Sequence, residues 1–130
     1  MVQPFDRFAV TATADYVNAQ DTKNEVPLPF TPPARGMLRG RYQEDIFWGL
    51  AEWRLAASQT RLGDGDTPTA GYGILNIGAG IRLTSGGTVH DIGVRCDNLL
   101  NQTYRDNLSV IKDFVPQPAR GVQLTYDLLF

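Results

Sequence analysis

The residues that could do chemistry form a ladder and a few outliers. Arg35, Arg39 and Arg41 are spaced by even steps, as are Glu52 and Arg54, Asp91, Arg95 and Asp97; Arg82 and Asp127 sit in stretches of the same rhythm. Even spacing puts such residues on one face of an extended chain. That face can lace itself with cross-strand ion pairs or line a wet path for a solute. It does not assemble a nucleophile with its base: Asp15, Asp97 and Ser58 make no such set, and His90 is the only histidine, which leaves little room for a triad. A lone histidine without a second His or a nearby Cys also makes a poor metal site. Asp64 and Asp66 flank Gly65 like a piece of a calcium loop, but its remaining ligands are missing. Gly78-Ala79-Gly80 and Gly86-Gly87 follow no strand-to-helix pattern, so they do not cradle phosphate. Cys96, the single cysteine, reads as apolar filler and excludes an internal disulfide. The residues therefore predict no enzyme, no cofactor and no resident metal. A net charge of −2 gives no electrostatic case for nucleic acid.

The elements that would carry this ladder are strands. The last ten residues place Val122, Leu124, Tyr126, Leu128 and Phe130 on one face and Gly121, Gln123, Thr125 and Asp127 on the other, the period of a β-strand with one oily side. Ten residues is about what a tilted strand needs to cross a bilayer. The same alternation recurs over residues 5–17, 34–43, 46–60, 70–83 and 89–99. Phe47, Ala51, Trp53, Leu55 and Ala57 share the oily side of the third segment; Leu75, Ile77, Ala79, Ile81 and Leu83 share that of the fourth. Tyr72 and Ile74 fall out of phase, which predicts a bulge near Gly73. Arg35, Arg39 and Arg41 would be very costly in lipid, so their face must look into water. With Glu52, Arg54, Arg82, Arg95 and Asp97 they are the candidates for an inward, wet wall.

Connections alternate in length. Links over residues 18–33, 61–69 and 100–118 are long; those over 43–45 and 84–88 are short. Prolines 27, 29, 32 and 33 argue against a regular ladder in the first long link. Outer-membrane barrels sort their loops in this way, with short periplasmic turns and longer extracellular loops. Phe5, Phe8, Tyr42, Phe47, Trp48 and Phe130 near the segment ends suit an interfacial aromatic girdle. The predicted fold is all-β: an antiparallel up-and-down meander of about six strands, part of a transmembrane β-barrel. The rivals are a soluble β-sandwich or barrel serving as a binding module, and an oligomerising porin-like membrane barrel. Met1-Val2-Gln3-Pro4 lacks a basic stretch followed by an apolar core, which suggests a mature or truncated chain.

Val94-Arg95-Cys96-Asp97-Asn98-Leu99-Leu100-Asn101-Gln102-Thr103-Tyr104 resembles the segment before the final strand of TonB-dependent outer-membrane receptors. Pro118-Ala119-Arg120 resembles their entry into the closing strand, with alanine where the family commonly has glycine. Two upstream stretches agree, Pro29-Phe30-Thr31-Pro32-Pro33-Ala34-Arg35 and Thr67-Pro68-Thr69-Ala70-Gly71-Tyr72. The resemblance spans nearly the whole chain. It implies energy-dependent uptake of a scarce nutrient across the outer membrane of a Gram-negative bacterium: a metal ion, metal chelate, siderophore or cobalamin, with the zinc or other metal-uptake type the nearest. It also implies partners: membrane lipid, the rest of the barrel with its plug domain, the TonB complex acting through that plug, and the barrel-assembly machinery. No plug is recognisable, and about six strands of the ~22 of such a transporter make this a C-terminal barrel portion, inactive in transport alone.

From that resemblance Gly121, Leu124, Tyr126, Leu128 and Phe130 are read as the barrel-assembly signal, an exposed strand with alternate side chains being a sound basis for recognition. Ligand contacts, if the long links make any, would involve Phe30, Asp64, Asp66, Tyr104, Arg105 and Lys112.

Overall fold

The computed structural model describes residues 2–5 and 7–130, with side chains from residue 7 onward. Its strands are β1 (Val2–Phe5), β2 (Phe8–Asp15), β3 (Gln20–Asp21), β4 (Val26–Pro27), β5 (Arg35–Gln43), β6 (Phe47–Ala56), β7 (Tyr72–Ser85), β8 (Thr88–Asp97) and β9 (Gly121–Leu129). Seven of them form one antiparallel sheet in the order β1-β2-β5-β6-β7-β8-β9. Six of these are the expected meander; β1 pairs with β2 as a short extra edge that lies, but for Phe5, before the segment expected over residues 5–17. The first long link is not ladder-free: β3 and β4 pair across it, with Pro27 opposite Gln20. Proline is tolerated there because the ladder is only two residues long and lies at an edge.

The sheet is one layer thick, and its register explains why. Cross-strand partners line up as Tyr42–Gly49–Ala79–Val94–Leu124 and, two residues nearer the long links, Gly40–Ala51–Ile77–Cys96–Val122. These rows make a continuous apolar side. The intervening rows, such as Thr11–Arg39–Glu52–Asn76 and Arg82–Asp91–Asp127, make the charged side. The apolar side is uncovered: Leu124 is 76% and Val94 46% exposed, and Ala56 and Ile74 are the hydrophobic residues that reach full burial among those described. A soluble sandwich covers such a side with a second sheet. Among the described residues the second sheet is the two-residue β3–β4 pair of the first long link, and no sheet covers the apolar side. On β7 the apolar row runs from Leu75 to Leu83, roughly 26 Å at about 3.3 Å per residue, which at a barrel strand's ~40° tilt spans about 20 Å of the ~25 Å apolar band of an outer-membrane barrel. No helix long and apolar enough to cross a membrane occurs among the described residues.

Two further expectations are corrected. No bulge lies at Gly73: Gly73 faces Leu55 in an unbroken register, which sets Tyr72 and Ile74 on the charged side with Asn76. Ile74, 4% exposed, is covered there, so apolar residues are not out of place. Trp48 does not join the outer girdle either. It pairs with Gly80 in an inward row, whereas Phe8, Tyr42 and Phe47 stay outside, Tyr42 and Phe47 with ring centres 5.7 Å apart. Phe5 lies among residues whose side chains are outside the described set.

Candidate functional site

The charged side of the sheet is wired more fully than a list of charges suggests. The Arg39 guanidinium donates to Glu52 through Nε at 2.8 Å and again through Nη2. Glu52 is 4% exposed, and its other oxygen accepts from Asn76 Nδ2 at 3.2 Å. Asn76 Oδ1 in turn accepts the Asn98 backbone N–H at 2.9 Å. A chain of polar groups thus runs across three strands to the start of the last long link, satisfying a carboxylate that would be costly if buried alone. Arg82 donates twice to one oxygen of Asp91, at 2.9 and 2.6 Å, while Trp48 Nε1 donates to the other at 2.8 Å. Arg95 pairs with Asp97 two residues along its own strand. Arg35 reaches Asp106 of the last long link at 2.8 Å, and the Tyr72 hydroxyl approaches the same carboxylate at 3.4 Å.

Of the inward candidates, Arg35, Arg39, Glu52, Arg82, Arg95 and Asp97 are therefore engaged in ion pairs. Arg41 donates only to Gln43, at 3.0 Å, and Arg54 has no ion pair among the described residues. Among the inward candidates these two are the guanidinium groups outside ion pairs.

The long-link candidates divide in the same way. Lys112 and Asp66 point at each other, not at a ligand: Nζ lies 2.5 Å from Asp66 Oδ1, and their side chains are 5% and 2% exposed. Nζ also donates to the Thr67 carbonyl and to Asn107 Oδ1, both at 2.9 Å. Asn107 is 2% exposed, and its amide donates at 3.0 Å to the Thr31 carbonyl, which also accepts from Gln59. All three long links thus meet at one buried lysine. Burial by itself would raise the Asp66 carboxyl, but the Lys112 hydrogen bond and charge outweigh it and hold the group below its ordinary 3.8. Arg105 is tied to the Lys112 carbonyl, and Tyr104 packs on Tyr72 with ring centres 4.5 Å apart. Phe30 (54% exposed) and Asp64 stay open to solvent.

Asn98 and Asn101 have a physical job. Both take φ near +50°, a region asparagine tolerates better than other side-chain-bearing residues. The Asn98 amide exchanges two hydrogen bonds with the Gln102 backbone, at 2.8 and 2.9 Å. Asn101 Oδ1 accepts the Arg120 N–H at 3.0 Å, and Arg120 Nη1 reaches back to the Leu99 carbonyl at 3.4 Å. The pair pins both ends of the last long link, so that β9 enters beside β8. Asn76, Asn107, Thr31, Gln59 and Trp48 went unnoticed as site residues in the sequence. Neutral amides carry no charge pattern to find them by. For Trp48 the signal was the facing glycines 78, 80 and 93.

On β9, Leu124, Tyr126 and Leu128 project from the apolar side, Gly121 opens the strand and Phe130 follows it fully exposed. The edge of β9 opposite β8 has no partner among the described residues.

Neither a family model nor a curated protein sequence matches the chain. Among solved structures, the copper transporter OprC is similar, with a TM-score of 0.84 over 97% of this chain at 22% identity. The match occupies 20% of that transporter, so the chain spans about one fifth of its length. The meander with its loop arrangement is therefore a fold seen in a known transporter.

Proposed function

We propose that this chain is a stretch of the barrel wall of a TonB-dependent outer-membrane receptor, serving uptake of a metal ion or metal chelate. The observation that carries the reading is the two-sided single sheet, with an uncovered apolar band outside, an ion-paired ladder inside, and long links at one end only. Water does not leave so large an apolar face bare without a partner. Lipid is the partner whose chemistry fits a continuous apolar band that runs across six strands. The likeness to a copper transporter favours metal cargo over siderophore or cobalamin. On this reading the partners are lipid outside, a plug within, further strands at both sheet edges, the TonB complex through the plug, and the assembly machinery at β9. The chemistry is passage and not catalysis.

Two measurements test it. Single cysteines at Ile77, Val94 or Leu124 are expected to resist water-soluble maleimide in membranes and to be quenched by lipid-borne probes, while cysteines at Arg41 or Arg54 react freely; equal labelling of both sets refutes the wall. In a Gram-negative host, deleting the encoding gene should reduce energy-dependent accumulation of copper, zinc or a chelated metal, and unchanged accumulation of all of them refutes the cargo.

A further inference from the structure

Trp48 is built into the charged side in a way that ion pairing does not explain. Its ring reaches over Gly78 and Gly80 of β7 and Gly93 of β8, a floor from which side chains are missing. A Cβ added at Gly80 would stand 2.5 Å from the ring, one at Gly93 2.8 Å, and one at Gly78 3.4 Å. Its Nε1–H is held by Asp91, itself held by the double bond from Arg82, so the ring is fixed in rotation as well as height. With that ring packed over the glycines, Trp48 also lines a cavity of about 300 Å3 together with Arg39, Arg41, Leu50, Arg82, Asp91, Thr125 and Asp127. Arg39, Arg82 and Asp91 are spent in pairs. Arg41 keeps donors to spare, and Asp127 has no hydrogen bond among the described residues. They stand in the rows on either side of Trp48, one a donor and the other an acceptor.

We infer that this cavity is a binding site for a pyranose sugar. A flat, rigid indole face suits the C–H face of a ring, with ring hydroxyls turned to the polar rim. Two unspent groups of opposite charge favour a neutral ligand that both accepts and donates over an anion or a cation, each of which would be repelled by one of them. The volume stands at the small end of ligand pockets, the size of one sugar unit. The site is already shaped before binding, because its floor and its tryptophan are locked by neighbours.

The test uses the full chain carrying Trp53→Phe, which leaves Trp48 as the sole indole, in a detergent without a sugar headgroup. Methyl β-glucopyranoside is expected to change Trp48 fluorescence saturably, with half-saturation in the millimolar range. Arg41→Gln or Asp127→Asn should weaken it about tenfold, the effect of losing one hydrogen bond to a charged group. Sorbitol, with the hydroxyls but no closed ring, should give no saturable change. No saturation by the pyranoside while the β circular-dichroism signal is intact overturns the site. So does tighter binding of benzoate, or indifference to both substitutions. Loss of the β signal in detergent would count against the barrel-wall reading, and against the shelf that exists only on that folded sheet.

Discussion

Lys112 and Asp66 meet across 46 residues of sequence, and their isolation from water makes the pair sensitive to the loss of either member. Removing one partner of a buried pair leaves an uncompensated charge, which costs about 3–5 kcal/mol, whereas replacing both with apolar groups is often neutral. Lys112→Met is therefore expected to loosen residues 98–120 by that amount in amide hydrogen exchange, and the double change with Asp66→Leu to restore only part of it, because Asn107 Oδ1 and the Thr67 carbonyl lose the same donor in both. The pH dependence follows from the lowered Asp66 carboxyl, depressed in the folded state relative to its ordinary 3.8. A depressed carboxylate stabilises above its unfolded value and loses that contribution as pH falls through its folded one. Loop protection, corrected for intrinsic exchange, should be flat at neutral and mildly acidic pH and fall below 3.8. Asp66→Asn should be less protected throughout and lack that step. Gly80→Ala makes a further check, because a methyl group there meets both the Trp48 ring and the Ile92 carbonyl. Overpacking of this kind costs about 1–3 kcal/mol, read as a lower unfolding midpoint together with a shifted Trp48 emission.

At the level of elements, the last long link and the strand after it depend on two asparagines with positive φ. Asn98→Ala loses the two amide bonds and forces alanine into the left-handed region, with an expected cost of about 2 kcal/mol or more. Asn98→Gly keeps the backbone free and loses only the bonds, so it should cost less. Denaturant midpoints in lipid vesicles order the two, and a reversed order would remove φ as the reason. The strands themselves are sorted by face. Val94→Arg places a guanidinium in the middle of the apolar side and should cost about 2–4 kcal/mol in a bilayer, while Thr13→Lys on the wet side should cost little. Alternation made these faces readable residue by residue. The Gly86-Gly87 turn, with φ of +59° and +86°, was legible as a hairpin, although β7 runs on to Ser85 because a two-residue turn of this type needs no further loop. The buried join of the three long links was not legible, since its members are spread over three segments with no shared period.

For the molecule as a whole, one layer cannot shield itself. The sheet has an uncovered apolar side and two edges, at β1 and β9, without partners among the described residues; exposed edges of this kind invite association. The isolated chain is expected to aggregate in plain buffer and to become tractable in detergent, as light scattering would report. A monodisperse monomer without detergent would be incompatible with the barrel-wall reading. The sequence by itself determined the six strands of the meander, the two faces along most of their length, and the order of long and short links, because period and turn chemistry are local properties of the chain. Only the tertiary structure decided that Trp48 turns inward onto glycines, that Tyr72 and Ile74 belong to the wet side, and that Lys112 is buried beside Asp66. Those outcomes depend on register and on which distant groups arrive at the same place, and pairing across strands is a property of the folded sheet, invisible in any single segment.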